Sequence, residues 1–219
     1  DNATRLQFGV AVGNATRGVY GGGYEHSPAS AITNNLYYIT IASTGNSLDF
    51  GDVTSTYGVG GHHQIGAGCA SHVRGVMAGG LGSPAIINNI DYITISTLGN
   101  TQDFGDLSIQ RFGFGGCSNA VRGVFGGGAS STGPTVKTNV IDFITIASTG
   151  NATDFGDRTI ADFYNGAASS PTRAIFSGDY QVVTMDAVEI MTTGNAFDFG
   201  DLTQGRLQNT GISNGHGGL

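Results

Sequence analysis

The chain has 219 residues, 38 of them glycine, and nine Lys and Arg against sixteen Asp and Glu give it a formal net charge of −7. That balance excludes a nucleic-acid binder, which needs a positive face to replace condensed counterions, and argues against an anionic membrane surface as partner. No stretch approaches the roughly 18 apolar residues that cross a bilayer, and no signal peptide is visible. A Gly-rich, charge-poor chain risks disorder, yet β-branched and aromatic runs such as residues 139–146 can bury enough surface to offset chain entropy, so a folded, all-β chain is expected.

Four units follow one another at a period of about fifty residues, the signature of an array built from one supersecondary unit. The first, over residues 5–56, opens with a strand at 6–14. A second strand starts at Arg17 and closes on Gly22-Gly23, a third carries Ile39-Thr40-Ile41, and a fourth runs through Asp49-Phe50-Gly51-Asp52. The Ile-Thr-Ile alternation marks a strand with one buried and one wetter face. Between the third and fourth strands stands Gly45-Asn46, a pair that tolerates positive φ and so predicts a tight hairpin turn. The second unit, 57–108, repeats the order with Arg74, Gly79-Gly80, Ile93-Thr94-Ile95, Gly99-Asn100 and Asp103-Phe104-Gly105-Asp106. It carries an insertion in the run Tyr57-Gly58-Val59-Gly60-Gly61-His62-His63-Gln64. The third, 109–160, has Arg122, Gly127-Gly128, Ile144-Thr145-Ile146, Gly150-Asn151 and Asp154-Phe155-Gly156-Asp157. The fourth, 161–203, is degenerate: Arg173 leads to Gly178-Asp179, then come Val188-Glu189-Ile190, Gly194-Asn195 and Asp198-Phe199-Gly200-Asp201.

Residues 204–219 repeat the first strand alone, at 207–214, and Arg206-Leu207-Gln208 echoes Arg5-Leu6-Gln7. The first strand therefore occurs once more often than the other three. Either a terminal strand completes a unit begun at the other terminus, or one copy is spare and pairs with another chain, an unpaired terminal strand being a sticky edge. The start at Asp1, without Met and inside what reads as a repeat, fits a processed chain or the C-terminal part of a longer one.

Four antiparallel strands per unit point to a β-propeller blade, and residues 1–219 to a single domain. The unit resembles the kelch repeat, in which a hydrophobic strand closes on a Gly doublet and two aromatics follow. Here the doublets are Gly22-Gly23, Gly79-Gly80 and Gly127-Gly128. The first aromatic is Tyr38, Tyr92 or Phe143, and the second is Phe50, Phe104, Phe155 or Phe199, where kelch proteins usually have Trp. The resemblance implies a kelch-like β-propeller of four-stranded antiparallel blades, with about four blades visible and a half-unit shared between the termini. The run Arg122-Gly123-Val124-Phe125-Gly126-Gly127-Gly128, with its Ile-Thr-Ile-Ala-Ser-Thr-Gly-Asn and Asp-Phe-Gly-Asp sequels, also resembles Gly-rich repeats of bacteriophage virion proteins, cyanophages among them. This second resemblance implies a non-enzymatic structural or adhesive module at a virion surface or outside cells, such as a tail-fibre tip or a surface decoration. Its partners would be other virion proteins, copies of itself or a host-surface glycan. A glycan-binding propeller with equivalent pockets between blades is the competing reading. A copper or radical enzyme is disfavoured, since no Cys/Tyr/His ligand cluster can be picked out, and neither cofactor nor metal is expected.

Repetition also governs the candidate sites. Arg17, Arg74, Arg122 and Arg173 could ring a channel and hold an anion. The structural reading is that each pairs bidentately with an Asp of Asp-Phe-Gly-Asp (Asp52, Asp106, Asp157 or Asp201) and locks unit to unit. Asp-Phe-Gly matches a kinase metal-binding motif, but the Gly-rich loop, strand Lys and catalytic-loop Asp of that chemistry are missing. Phe50, Phe104, Phe155 and Phe199 read as wedges between units, each followed by a Gly at a bend. The Asp pairs read as turn caps, since Ca²⁺ needs about six oxygen ligands. His62 and His63, with Tyr57 and Gln64, form the best candidate recognition loop because they break the repeat. Adjacent side chains in an extended segment point to opposite faces, so the two His rarely chelate one ion. Cys69 and Cys117 occupy nearly equivalent positions in successive units and read as small buried hydrophobes, too far apart for a disulfide. The sequons at Asn2, Asn14 and Asn151 read as turn residues.

Overall fold

The computed structural model describes residues 6–25, 31–54, 64–82, 85–179, 181–206 and 210–211. Among these it is all strand and turn, with no helix. The first unit holds β1 (Leu6–Gln7), β2 (Val10–Gly13), β3 (Arg17–Gly21), β4 (Tyr24–Glu25), β5 (Ala31–Ile32), β6 (Asn35–Thr40) and β7 (Leu48–Asp52). Strands β2-β3-β6-β7 form sheet I, and β1-β4-β5 a small separate sheet. Sheet II is β8 (Gln64–Ala70), β9 (Arg74–Leu81), β10 (Ile86–Thr94) and β11 (Gln102–Asp106) in that order. Sheet III runs β12 (Gly115–Ser118), β13 (Arg122–Gly126), β15 (Thr135–Thr145) and β16 (Thr153–Asp162), with β14 (Ala129–Thr132) paired to the start of β15. Sheet IV is β17 (Gly166–Ser169), β18 (Arg173–Asp179), β19 (Val182–Glu189) and β20 (Phe197–Asp201).

Every pairing within these sheets is antiparallel, so each unit is a four-stranded meander in chain order. The first strands β2, β8, β12 and β17 pack side by side in sequence order. Of the half-unit expected to be shared between the termini, most residues lie outside the described ones. Sheet I contains its own first strand, β2, and a side chain added at Gly211 would run into the Ala167 carbonyl of β17.

The fourth strand contains the same irregularity in every sheet. Ile90 pairs with Gly105 and Asp91 with Asp103, which leaves Phe104 as the extra residue of a β-bulge. Phe50, Phe155 and Phe199 occupy the same place. The Gly after each Phe has φ between 136° and 145°, a conformation that side chains resist. The Asp-Phe-Gly-Asp motif is therefore a bulge signature.

Hydrophobic cores lie between successive sheets. The first joins Val12, Val19, Leu36 and Phe50 of sheet I to Met77, Ile93 and Ile95 of sheet II. The second joins Val76, Ile90 and Phe104 to Phe125, Ile144 and Ile146. The third joins Val124, Ile141 and Phe155 to Phe176, Val188 and Ile190. Burying one such side chain contributes about 1.5–3 kcal/mol. Phe50, Phe104 and Phe155 also meet Tyr38, Tyr92 and Phe143 edge-on, at 5.9–6.2 Å between ring centres.

Candidate functional site

The repeated motif converges on the junctions between sheets, and each junction uses the same contacts. The turn of one unit clamps the bulged strand of the unit before it. Gly99 donates its N–H to the Phe50 carbonyl at 2.8 Å, Thr101 donates to the Asp52 carbonyl at 2.8 Å, and the Asn100 side-chain oxygen accepts from the Asp52 N–H at 3.0 Å. Gly150, Ala152 and Asn151 do the same to Phe104 and Asp106, at 2.7, 2.8 and 3.1 Å. Gly194, Ala196 and Asn195 repeat it on Phe155 and Asp157, at 2.8, 2.8 and 3.1 Å. The Gly-Asn pair thus closes its own hairpin and hydrogen-bonds the preceding sheet.

The arginines lock sheet to sheet as well, but through partners the sequence did not indicate. Arg17 donates to the Ile95 carbonyl at 2.8 Å, Arg74 to the Ile146 carbonyl at 3.0 Å, and Arg122 to the Ile190 carbonyl at 2.9 Å. Each guanidinium lies over the aromatic of its own sheet: Arg17 over Tyr38, Arg74 over Tyr92 and Arg122 over Phe143, at 4.1–4.5 Å. The expected pairing with Asp52, Asp106 and Asp157 is not formed, because the register sets each Arg and Asp at opposite ends of the third strand: Arg17 stands opposite Thr40 and Asp52 opposite Asn35. The fourth copies depart together. Arg173 bonds Glu189 on the neighbouring strand of its own sheet at 2.9 Å, and Phe199 lies exposed instead of wedged.

Carboxylate–guanidinium locks do exist, at residues the repeat reading passed over. Arg111 and Arg158, each beyond an Asp-Phe-Gly-Asp run, are buried and reach the next sheet. Arg111 donates to Asp142 at 2.9 Å and to the Val140 and Phe125 carbonyls at 2.7 and 3.1 Å. Arg158 donates to Asp186 at 2.9 Å and also pairs with Asp162, while Thr159 bonds the other Asp186 oxygen. Burial pulls the Arg111 guanidinium down to about 10 against the opposing pull of Asp142. Burial pushes the Asp162 carboxyl up to about 6, and the adjacent Arg158 only partly offsets this. The available signal was that Asp91, Asp142 and Asp186 each sit at one register position, next to the strand's aromatic or its Ala187 substitute.

Cys69 and Cys117 are free thiols buried in two different inter-sheet cores. Burial pushes the Cys117 thiol up to about 12 and Cys69 higher still. Both are poor nucleophiles in this state.

A cavity of about 860 Å³ lies along the first strands, lined largely by the backbones of Gly9–Gly13, Gly66–Gly68, Gly113–Gly116 and Gly166. Phe8, Tyr20, Ile39, Phe114, Tyr164 and Asn165 are its larger lining residues, and none of the repeated arginines lines it. Phe8 and Tyr164 are held at φ of 60° and 58°, rare for bulky residues. Among the described residues no three His, Cys, Asp or Glu side chains cluster as metal ligands. Tyr57, His62 and His63 lie outside the described residues, and Gln64 opens β8. In comparisons with known proteins, no family model matches the chain, and no curated protein matches it.

Proposed function

We propose that the chain is a non-enzymatic structural or adhesive module, a kelch-like β-propeller whose repeated motif joins blade to blade. One observation carries this reading: at three successive junctions the Gly-Asn turn bonds the Asp-Phe-Gly-Asp run of the sheet before it, and the repeated Arg bonds an Ile carbonyl of the sheet after it, with the same geometry each time. Side chains that repeat as joints are committed to holding the array, which leaves turns and loops for contact. The Gly-rich wording that resembles phage virion proteins supports placement as a tail-fibre tip or surface decoration, facing other virion proteins or a host surface. A rigid, charge-poor scaffold of net negative charge suits that role.

Glycan binding is the second reading. The observation favouring it is the cavity, with Phe8, Tyr20 and Tyr164 on its wall and Asn165 beside them. A glycan array with the purified chain distinguishes the two. The structural reading expects no sugar to bind; saturable binding that Tyr164→Ala abolishes would establish the lectin instead.

A further inference from the structure

Sheets I and IV each present one face that no further sheet covers among the described residues. On sheet I it is the face through which every later sheet meets its predecessor. Ile41 is 56% exposed there, whereas its counterparts Ile95, Ile146 and Ile190 are at most 1% exposed. On sheet IV it is the opposite face. Phe199 is 44% exposed, whereas Phe50, Phe104 and Phe155 are 2–3% exposed. Ile175 and Met185 on that face are half-buried, while their counterparts Val124 and Ile141 are fully buried. The two faces are the two halves of the junction that the chain makes three times within itself.

We propose that a second copy of this chain occupies them head to tail, sheet I of one copy seated on sheet IV of the other. The warrant is continuity with the internal junctions. Arg173, now turned back on Glu189, would reach the Ile41 carbonyl of the second copy as Arg122 reaches that of Ile190. Phe199 would enter against Ile39 and Ile41 as Phe155 enters against Val188 and Ile190. Tyr20 and Tyr37, with ring centres 6.1 Å apart, extend the aromatic part of this face on sheet I.

A segment of the chain's own C-terminal half-unit competes for part of this seat. Gly211 lies against Ala167 as Gly116 lies against Gly68 and as Gly68 lies against Ala11. Thr210 and Gly211 therefore hold the place that β2 of the second copy takes, and they yield it on docking. Arg206-Leu207-Gln208 matches the incoming Arg5-Leu6-Gln7, which marks the two segments as equivalents. Identical head-to-tail contacts generate either a closed ring or an open filament. Two copies closing at both contacts give a ring of eight sheets, within the four to eight typical of propellers. The contact rests on the junction geometry, and only the ring rests on the propeller reading.

Sedimentation equilibrium of the full chain, of Ile41→Glu, of Phe199→Glu and of their equimolar mixture tests this. Both substitutions fall on exposed side chains, so thermal melts should confirm that each variant folds. The full chain is expected at twice the chain mass and each variant alone at the chain mass. The mixture should regain a two-copy species, because each variant keeps the face the other has lost. A full chain that stays single across concentration, variants that still pair, or a mixture that stays single would overturn the proposal. Species longer than two copies that either substitution abolishes would overturn the ring, and with it the propeller reading, while leaving the contact in place.

Discussion

Asp162 shows what a buried charge costs in this molecule. Its carboxyl is enclosed beside Arg158, yet one of its oxygens has no hydrogen-bond partner, and burial outweighs the guanidinium. With its folded value raised from 3.8 to about 6, the folded state holds the proton more tightly than the unfolded chain. The stability from this group is therefore present below the unfolded value and lost as pH rises through about 6. Thermal midpoints of the wild type and Asp162→Asn, measured from about pH 4 to about pH 7, check the sign. The variant should gain on the wild type as pH rises; a constant difference would mean that Asp162 titrates normally. Arg158 and Asp162 were hidden in the sequence because neither recurs with the obvious motif, and the recurring Asp186 does not by itself name its partner. Their pairing comes from a strand that extends past Asp157, which no local pattern announces.

At the scale of the element, the bulge explains why Asp-Phe-Gly-Asp is spelled as it is. The extra residue turns Phe inward, and Gly accepts the positive φ while admitting the next unit's turn. A side chain at Gly105 would stand 2.5 Å from the backbone of Gly150. Gly105→Ala should therefore lower stability by at least about 3 kcal/mol, combining backbone strain with the clash. Gly45 offers the contrast: it is not among the positive-φ glycines, and an added Cβ there meets nothing within 4 Å. Gly45→Ala should change the urea midpoint little, and equal losses at the two positions would contradict the bulge account. The four strands, their order and the hairpin at Gly-Asn were legible in the sequence, because periodicity and turn chemistry act locally. The clamp on the preceding sheet was not, since the same Gly-Asn dipeptide serves a hairpin whether or not its outer side is covered.

Across the whole molecule the sheets form a series in which each couples chiefly to the next through its own core, and such arrays gain stability junction by junction. The repeat made that series readable and made the arginines conspicuous. It could not show that they bond carbonyls instead of carboxylates, because a backbone acceptor leaves no trace in residue identity. Nor could it separate a joint in use from an identical one without a mate, as at Arg173. That pair supplies the most direct test of the claim that the motif builds junctions. Arg122→Ala removes a charged hydrogen bond to Ile190 and a contact over Phe143, a loss of about 2 kcal/mol. Arg173→Ala removes an exposed ion pair with Glu189 and a longer, exposed contact over Phe197 at 5.7 Å, together worth about 0–1 kcal/mol. In urea unfolding of the two variants at a concentration where the wild type is a single chain, the account predicts a clear loss for Arg122→Ala and nearly none for Arg173→Ala. Equal midpoints would contradict it.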